Sequence, residues 1–280
     1  MIMIVKNEMT VPDDCYRLPG ASSWLIGDSR IDLLVPAGAP PAAGWPSIWL
    51  LDGAGCFGTC AEAMRRMSRR SDATGVVPQV VVGISAADGA RDTDRARRQR
   101  LFTTPRSDRP DAGGAEAFLR FLLEEVRPQV AGRAALDPAG GTLWGHSLAG
   151  YFTLWVLAHA PAAFRSYAAI SPSVWWDRPL LEDGLARLQP AGPRALVCIG
   201  EWEDALPPWQ AQAPGAADAL ARRQARQMVA GARDIAGLLA RRLGEDRVQF
   251  RLLPEEDHAS ILSAAIPRML RMASMTQAAG

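Results

Sequence analysis

The chain has 280 residues, of which 48% are hydrophobic and 22% charged, and its net charge is +1. That composition excludes a disordered or collagen-like chain, and the balanced charge supplies no global field toward nucleic acid. No apolar run approaches the ~18–20 residues that a membrane span needs. The basic residues are thirty Arg and one Lys, Lys6. Cys15, Cys56, Cys60 and Cys198 are too sparse for a disulfide framework. The Cys56-x-x-x-Cys60 spacing offers too few ligands for zinc, so all four are expected to be free thiols.

The N-terminus, Met1-Ile2-Met3-Ile4-Val5-Lys6, lacks a basic start, a long apolar stretch and a small-residue cleavage site. No secretory signal is expected, and the expected compartment is the cytoplasm. Residues 1–19 are expected to be peripheral. Ile31 to Val35 reads as a strand, and Ser47 to Leu51 as a second that ends at Asp52-Gly53. Residues 59–70 read as a helix. Val76 to Ile84, very apolar and rich in β-branched residues, suits the middle of a sheet. Residues 115–130 carry Phe118, Phe121, Leu122 and Val126 at helical spacing. Thr142 to Trp144 is a short strand running into Gly145-His146-Ser147, and residues 148–159 form the next helix. Strands follow at Tyr167 to Ile170 and Ala195 to Ile199, then a long helix over 216–242. The last strand is Val248 to Leu253 and the last helix 260–273. Strand and helix alternate from residue 47 onward with no repeat and no linker. The expectation is one α/β domain over residues 1–280, with a mostly parallel central sheet and helices on both faces. Reactive groups in such a sheet sit on loops at the carboxyl ends of its strands.

Gly145-His146-Ser147-Leu148-Ala149-Gly150 has the strand–serine–helix context of a nucleophile elbow. Small residues at 145 and 149 let strand and helix approach closely. A serine needs a base. Of the three histidines, His258 follows the final strand and can reach over the elbow. His146 is expected to point elsewhere, and His159 to cap a helix end or lie on the surface. The acid that orients the base is expected after the strand Ala195 to Ile199, in Gly200-Glu201-Trp202-Glu203-Asp204. Glu203 is favoured there, with Asp204 and Glu201 as alternatives. The Leu148 N–H and one from the Asp52-Gly53-Ala54-Gly55 turn, at Gly53, are the expected oxyanion donors. This chemistry calls for no metal or organic cofactor.

With these pieces in place, the chain resembles the esterase branch of the α/β-hydrolase superfamily. Within that branch it is similar to the ferric-siderophore esterases that cleave enterobactin and salmochelin trilactones. The resemblance rests on Trp49-Leu50-Leu51-Asp52-Gly53, Val81-Val82-Gly83-Ile84, Gly113-Gly114-Ala115 with Phe118-Leu119, and Gly145-His146-Ser147-Leu148. Ser171-Pro172-Ser173-Val174-Trp175-Trp176-Asp177 and the His258 loop complete it. The resemblance puts the serine, acid and histidine roles on Ser147, Glu203 and His258, and some relatives work with a serine–histidine dyad. Ala149 and Ala54-Gly55-Cys56 depart from the family pattern.

Arginines at 91, 95, 97, 98, 100, 106 and 109 follow a strand at the sheet's carboxyl edge, interspersed with Asp92, Asp94, Asp108 and Asp111. Arg97 and Arg98, with Trp175 and Trp176, are the expected contacts to an anionic, aromatic substrate such as a ferric tris-catecholate. The expected partner is a small-molecule ester, with neither nucleic acid nor membrane involved. The rival readings are a general small-acyl carboxylesterase or thioesterase, and a non-catalytic ligand-binding protein on a hydrolase scaffold.

Overall fold

The computed structural model describes residues 18–88, 94–190 and 192–275. Among them eight strands form one sheet in the order β1-β2-β4-β3-β5-β6-β7-β8. The strands are β1 (Ala21–Ile26), β2 (Ser29–Leu34), β3 (Trp45–Leu51), β4 (Val80–Ala86), β5 (Leu136–His146), β6 (Ser166–Ile170), β7 (Arg194–Gly200) and β8 (Val248–Leu253). The pairings β1·β2 and β2·β4 are antiparallel, and every pairing from β4 to β8 is parallel.

Both faces of the sheet are covered because alternate strand residues are apolar in both directions. Trp49 and Leu51 join one buried cluster with the helices Leu148–His159 and Met228–Leu243. Ile48 and Leu50 join the other, with the helices Phe57–Met67 and Ile266–Ser274. The helix Leu148–His159 has ten buried residues of twelve. An apolar helix of that kind belongs inside the protein.

Several boundaries differ from the sequence-based expectation. Strand β1 was not expected, because Ala21, Ser22 and Ser23 are all exposed and carry no apolar alternation. It closes a hairpin onto β2 across Gly27-Asp28, where Gly27 takes a φ of 53°. Strand β4 starts at Val80 rather than Val76, beyond Pro78, which cannot donate to a ladder. Strand β5 extends back to Leu136, well before Thr142. The helix expected over 216–242 is two helices, Ala216–Arg226 and Met228–Leu243, broken where Gln227 adopts a left-handed conformation (φ 47°, ψ 46°). The final helix is likewise split, at Ala265-Ile266-Pro267. Cys56, Cys60 and Cys198 are buried; Cys60 and Cys198 are free thiols, and burial pushes both up to about 12. Cys15 and most of the segment expected to be peripheral lie outside the described residues.

Candidate active site

Four strands end side by side at β5, β6, β7 and β8, and the chemistry-bearing residues lie just past these ends. Ser147 follows β5 directly. Its φ of 61° and ψ of −119° are a conformation that non-glycine residues avoid, at a cost on the order of 1–3 kcal/mol. The surroundings force it. The Ser147 N–H donates to the Ile170 carbonyl at 2.9 Å, and the Ser147 carbonyl accepts from the N–H groups of Tyr151 and Ser173, each at 3.0 Å. A Cβ on Gly145 would lie 2.1 Å from the Ala149 carbonyl oxygen, so only glycine fits. Ala149 itself is fully buried, and its methyl group is accommodated.

His258 lies on the loop after β8. Its Nδ1 is 2.8 Å from Glu203 Oε2 and its Nε2 is 3.1 Å from Ser147 Oγ. A carboxylate only accepts, so Nδ1 carries the proton and Nε2 is left to accept from the serine hydroxyl. Glu203 is 4% exposed, and its other oxygen accepts from the Ser171 hydroxyl. Ser171 reaches it from the end of β6 with a φ of 43°.

The three carboxylates after β7 have three different partners. Glu203 alone meets the imidazole. Glu201 Oε2 accepts from the Glu255 N–H at 2.9 Å and so fastens the His258 loop. Asp204 accepts from the N–H groups of Met228 (2.7 Å) and Val229 (3.1 Å), capping the helix Met228–Leu243 from outside its own chain segment. Gly200 makes room for this loop, since a Cβ there would lie 2.4 Å from the Glu256 carbonyl oxygen.

His146, expected to point elsewhere, turns toward the site. Its Nε2 is 2.8 Å from the His258 carbonyl oxygen, and the two imidazole rings sit 4.7 Å apart. Loss of hydration first, then the neighbouring His258 and Arg98, push its pKa down to about 3. His159, by contrast, bonds the Trp155 carbonyl at the end of its own helix, as expected.

A cleft of about 360 Å³ opens above Ser147, within the range of small-molecule sites. Ser147, Leu148, Ser173, Glu203 and His258 line its floor. Trp175 forms part of the wall and is 39% exposed. Four arginines also line it: Arg95, Arg98, Arg223 and Arg226. Gly53 is buried at the start of the turn after β3, against Gly83 of β4, and is not among the residues lining the cleft.

The substrate contacts expected from the sequence need correction. Arg97 donates to the Asp28 carbonyl and to Ser29 Oγ, both at 3.1 Å, so it ties down the β1–β2 turn and does not line the cleft. Trp176 is 2% exposed and packs under Arg106, because its neighbour Trp175 takes the outward position. Arg98 does reach the cleft. Its guanidinium is also engaged by Asp52 Oδ2 at 2.9 Å and by the His146 carbonyl at 3.3 Å. Arg223 and Arg226 were missed, since they lie more than a hundred residues along the chain. Arg226 sits over the Trp175 ring at 5.2 Å. Arg91 and Asp92 lie outside the described residues.

A sheet of this order, with a strained serine elbow after its fifth strand, defines an α/β-hydrolase. Residues 22–233 match the family described as "Putative esterase", and the chain belongs to that family. It is 37% identical over 190 residues to the ferri-bacillibactin esterase of Bacillus subtilis, covering 63% of this chain. That match spans 64% of the relative, a little under two thirds of its length. It is 31% identical over 240 residues to the siderophore triacetylfusarinine C esterase of Aspergillus fumigatus, covering 81% of this chain and 80% of that protein. The crystal structure of the BES protein from Bacillus cereus superposes with a TM-score of 0.79 at 26% identity, over 95% of this chain and 99% of that one.

Proposed function

We propose that the protein is a serine esterase that hydrolyses the backbone esters of a siderophore, its ferric catecholate form above all. The observation that carries this reading is the hydrogen-bonded series Ser147–His258–Glu203 at the floor of an arginine-lined cleft. His258 Nε2 takes the Ser147 Oγ proton as Oγ attacks the ester carbonyl carbon. Glu203 stabilises the imidazolium that forms, and the Ser171 hydroxyl holds Glu203 in place. The tetrahedral oxygen accepts from the Leu148 N–H, the first of the elbow helix and a residue that lines the cleft. His258 then gives its proton to the departing alkoxide, which leaves as an alcohol. Water attacks the acyl-enzyme, loses a proton to His258, and Ser147 leaves with that proton.

The substrate class is supported by the wall of the cleft. A ferric tris-catecholate is an anion with flat aromatic groups, which arginine and an exposed indole suit. The two relatives named above are siderophore esterases. Cleaving the ester backbone removes the preorganisation that holds three iron-binding arms together.

The test has two arms. A fluorophosphonate probe should label the wild-type protein at Ser147. Ser147→Ala should lose label and reduce ester hydrolysis by ~10⁴–10⁶, with the melting curve unchanged. In the second arm, kcat/KM is compared between a ferric catecholate trilactone and a short neutral ester. Preference for the neutral ester identifies a general carboxylesterase, and absence of labelling identifies a binding protein.

A further inference from the structure

We propose that His146 is a positioning residue, whose ring holds the His258 loop in register with the serine elbow. The inference rests on Ser147 being the nucleophile and His258 the base. His258 is carried by a loop after the edge strand β8, and its own side chain is 45% exposed. A loop in that position has freedom to drift, and the imidazole must stay within hydrogen-bond reach of Ser147. The tie at Glu203 orients the ring about its Nδ1. It does not anchor the backbone of residue 258.

Glu201 fastens this loop three residues upstream, at Glu255, and His146 fastens it at residue 258 itself. His146 immediately precedes Ser147, so its backbone is part of the strained turn. Its Nε2 reaches the His258 carbonyl at 2.8 Å. A carbonyl only accepts, so the ring is the Nε2–H tautomer, and its low pKa keeps it neutral at ordinary pH. The His146 ring also packs against the His258 ring, tilted by 44° with 4.7 Å between centroids. On its other side, the His146 carbonyl accepts from Arg98, which in turn holds Asp52 at the turn after β3. One residue thus links the elbow to the histidine loop through its side chain, and to the turn bearing Gly53 through its backbone. Displacing a reacting group by about 1 Å can cost ~10²-fold in rate.

The experiment compares His146→Gln with His146→Asn. Both replacements are polar and uncharged, so differences in folding are minimised. Gln can place an amide N–H where Nε2–H stands, and the shorter Asn cannot. His146→Gln should keep kcat on a neutral ester within about threefold of wild type. His146→Asn should lose about 10- to 100-fold in kcat, with KM within about twofold, and fluorophosphonate labelling of Ser147 should slow in parallel. Equal kcat for the two variants, or a loss expressed in KM alone, overturns the positioning role. If the wild-type protein itself fails to label at Ser147, the nucleophile reading has failed instead. Melting temperatures of both variants separate a positioning defect from unfolding: a kcat loss that follows a lowered melting temperature overturns the proposal.

Discussion

Two helices border the same cleft and are held in opposite ways. The elbow helix Leu148–His159 has ten buried residues of twelve, whereas the helix Ala216–Arg226 has no buried residue among eleven. The first is locked by close contacts. Beyond the Gly145 contact, a Cβ on Gly150 would lie 3.0 Å from both the Ile170 carbonyl and Pro172 Cα. The second is held by polar ties, such as Arg223 to Gln210 at 2.8 Å. It enters from Gly215 at a φ of 78° and leaves through the left-handed Gln227. Under the proposed function, the difference separates two tasks of the site. Bond-making groups need positions good to a fraction of an ångström, which a packed core supplies. Recognition of a substrate's outer groups tolerates a lightly tethered wall that can change its side chains without disturbing the fold.

The largest test of this contrast lies in the carboxylates after β7. Glu203→Gln should lower kcat by ~10²–10⁴, because the imidazole loses the charge that orients and stabilises it. Glu201→Gln and Asp204→Ala should stay within a few-fold in kcat. Asp204→Ala should instead lower stability by about 1 kcal/mol, through the lost cap on Met228–Leu243. Steady-state kinetics paired with thermal melts distinguishes these outcomes. A small effect of Glu203→Gln would move the acid out of the mechanism and leave a dyad.

A smaller, substrate-dependent effect is expected at the wall. Among the described residues neither Arg95 nor Arg226 pairs with a carboxylate, although both line the cleft. The double replacement Arg95→Ala with Arg226→Ala should weaken catalysis on an anionic catecholate ester. The loss should be about 5- to 30-fold, as for two partly exposed charge contacts worth about 1–2 kcal/mol together. Hydrolysis of a neutral short-chain ester should not change. The gap between the two substrates should narrow as salt rises, since exposed charges are screened over about 10 Å at 0.1 M. Equal losses on both substrates would make this wall part of the folding core, and the contrast with the elbow would vanish.

The smallest effect is one of stability. His146 in the folded protein holds its pKa near 3, below the ordinary 6.5. On unfolding it takes up a proton that the folded state refuses, so its contribution is full above pH ~6.5 and is lost as pH falls toward 3. The wild-type melting temperature should therefore fall more steeply than that of His146→Gln across this window, with the two curves parallel above pH 7. Parallel curves throughout would mean that the ring is freely hydrated.

The sequence by itself determined the alternation of strands and helices, the elbow at Gly145–Gly150, and the histidine after the last strand. These are local signals: β-branched apolar runs, a serine between strand and helix, and one histidine in a suitable place. The helix 148–159 and the strand β8 follow the pattern residue for residue. The choice among Glu201, Glu203 and Asp204 was narrowed by loop position, but only tertiary structure gave each carboxylate its separate partner. Polar edges hid β1, because an edge strand needs no apolar alternation. Gln227 hid the helix break, because a left-handed glutamine leaves no mark in composition. The wall of the cleft was the least legible part. Arg95 and Arg98 meet Arg223 and Arg226 only because the sheet brings two distant helices, Arg95–Phe102 and Ala216–Arg226, to one edge. Neighbouring positions diverge for the same reason, with Arg97 drawn to Ser29 and Trp176 into the core beside an outward Trp175. Periodicity shows which way a side chain faces within its own element, and the packing of elements decides what it meets there.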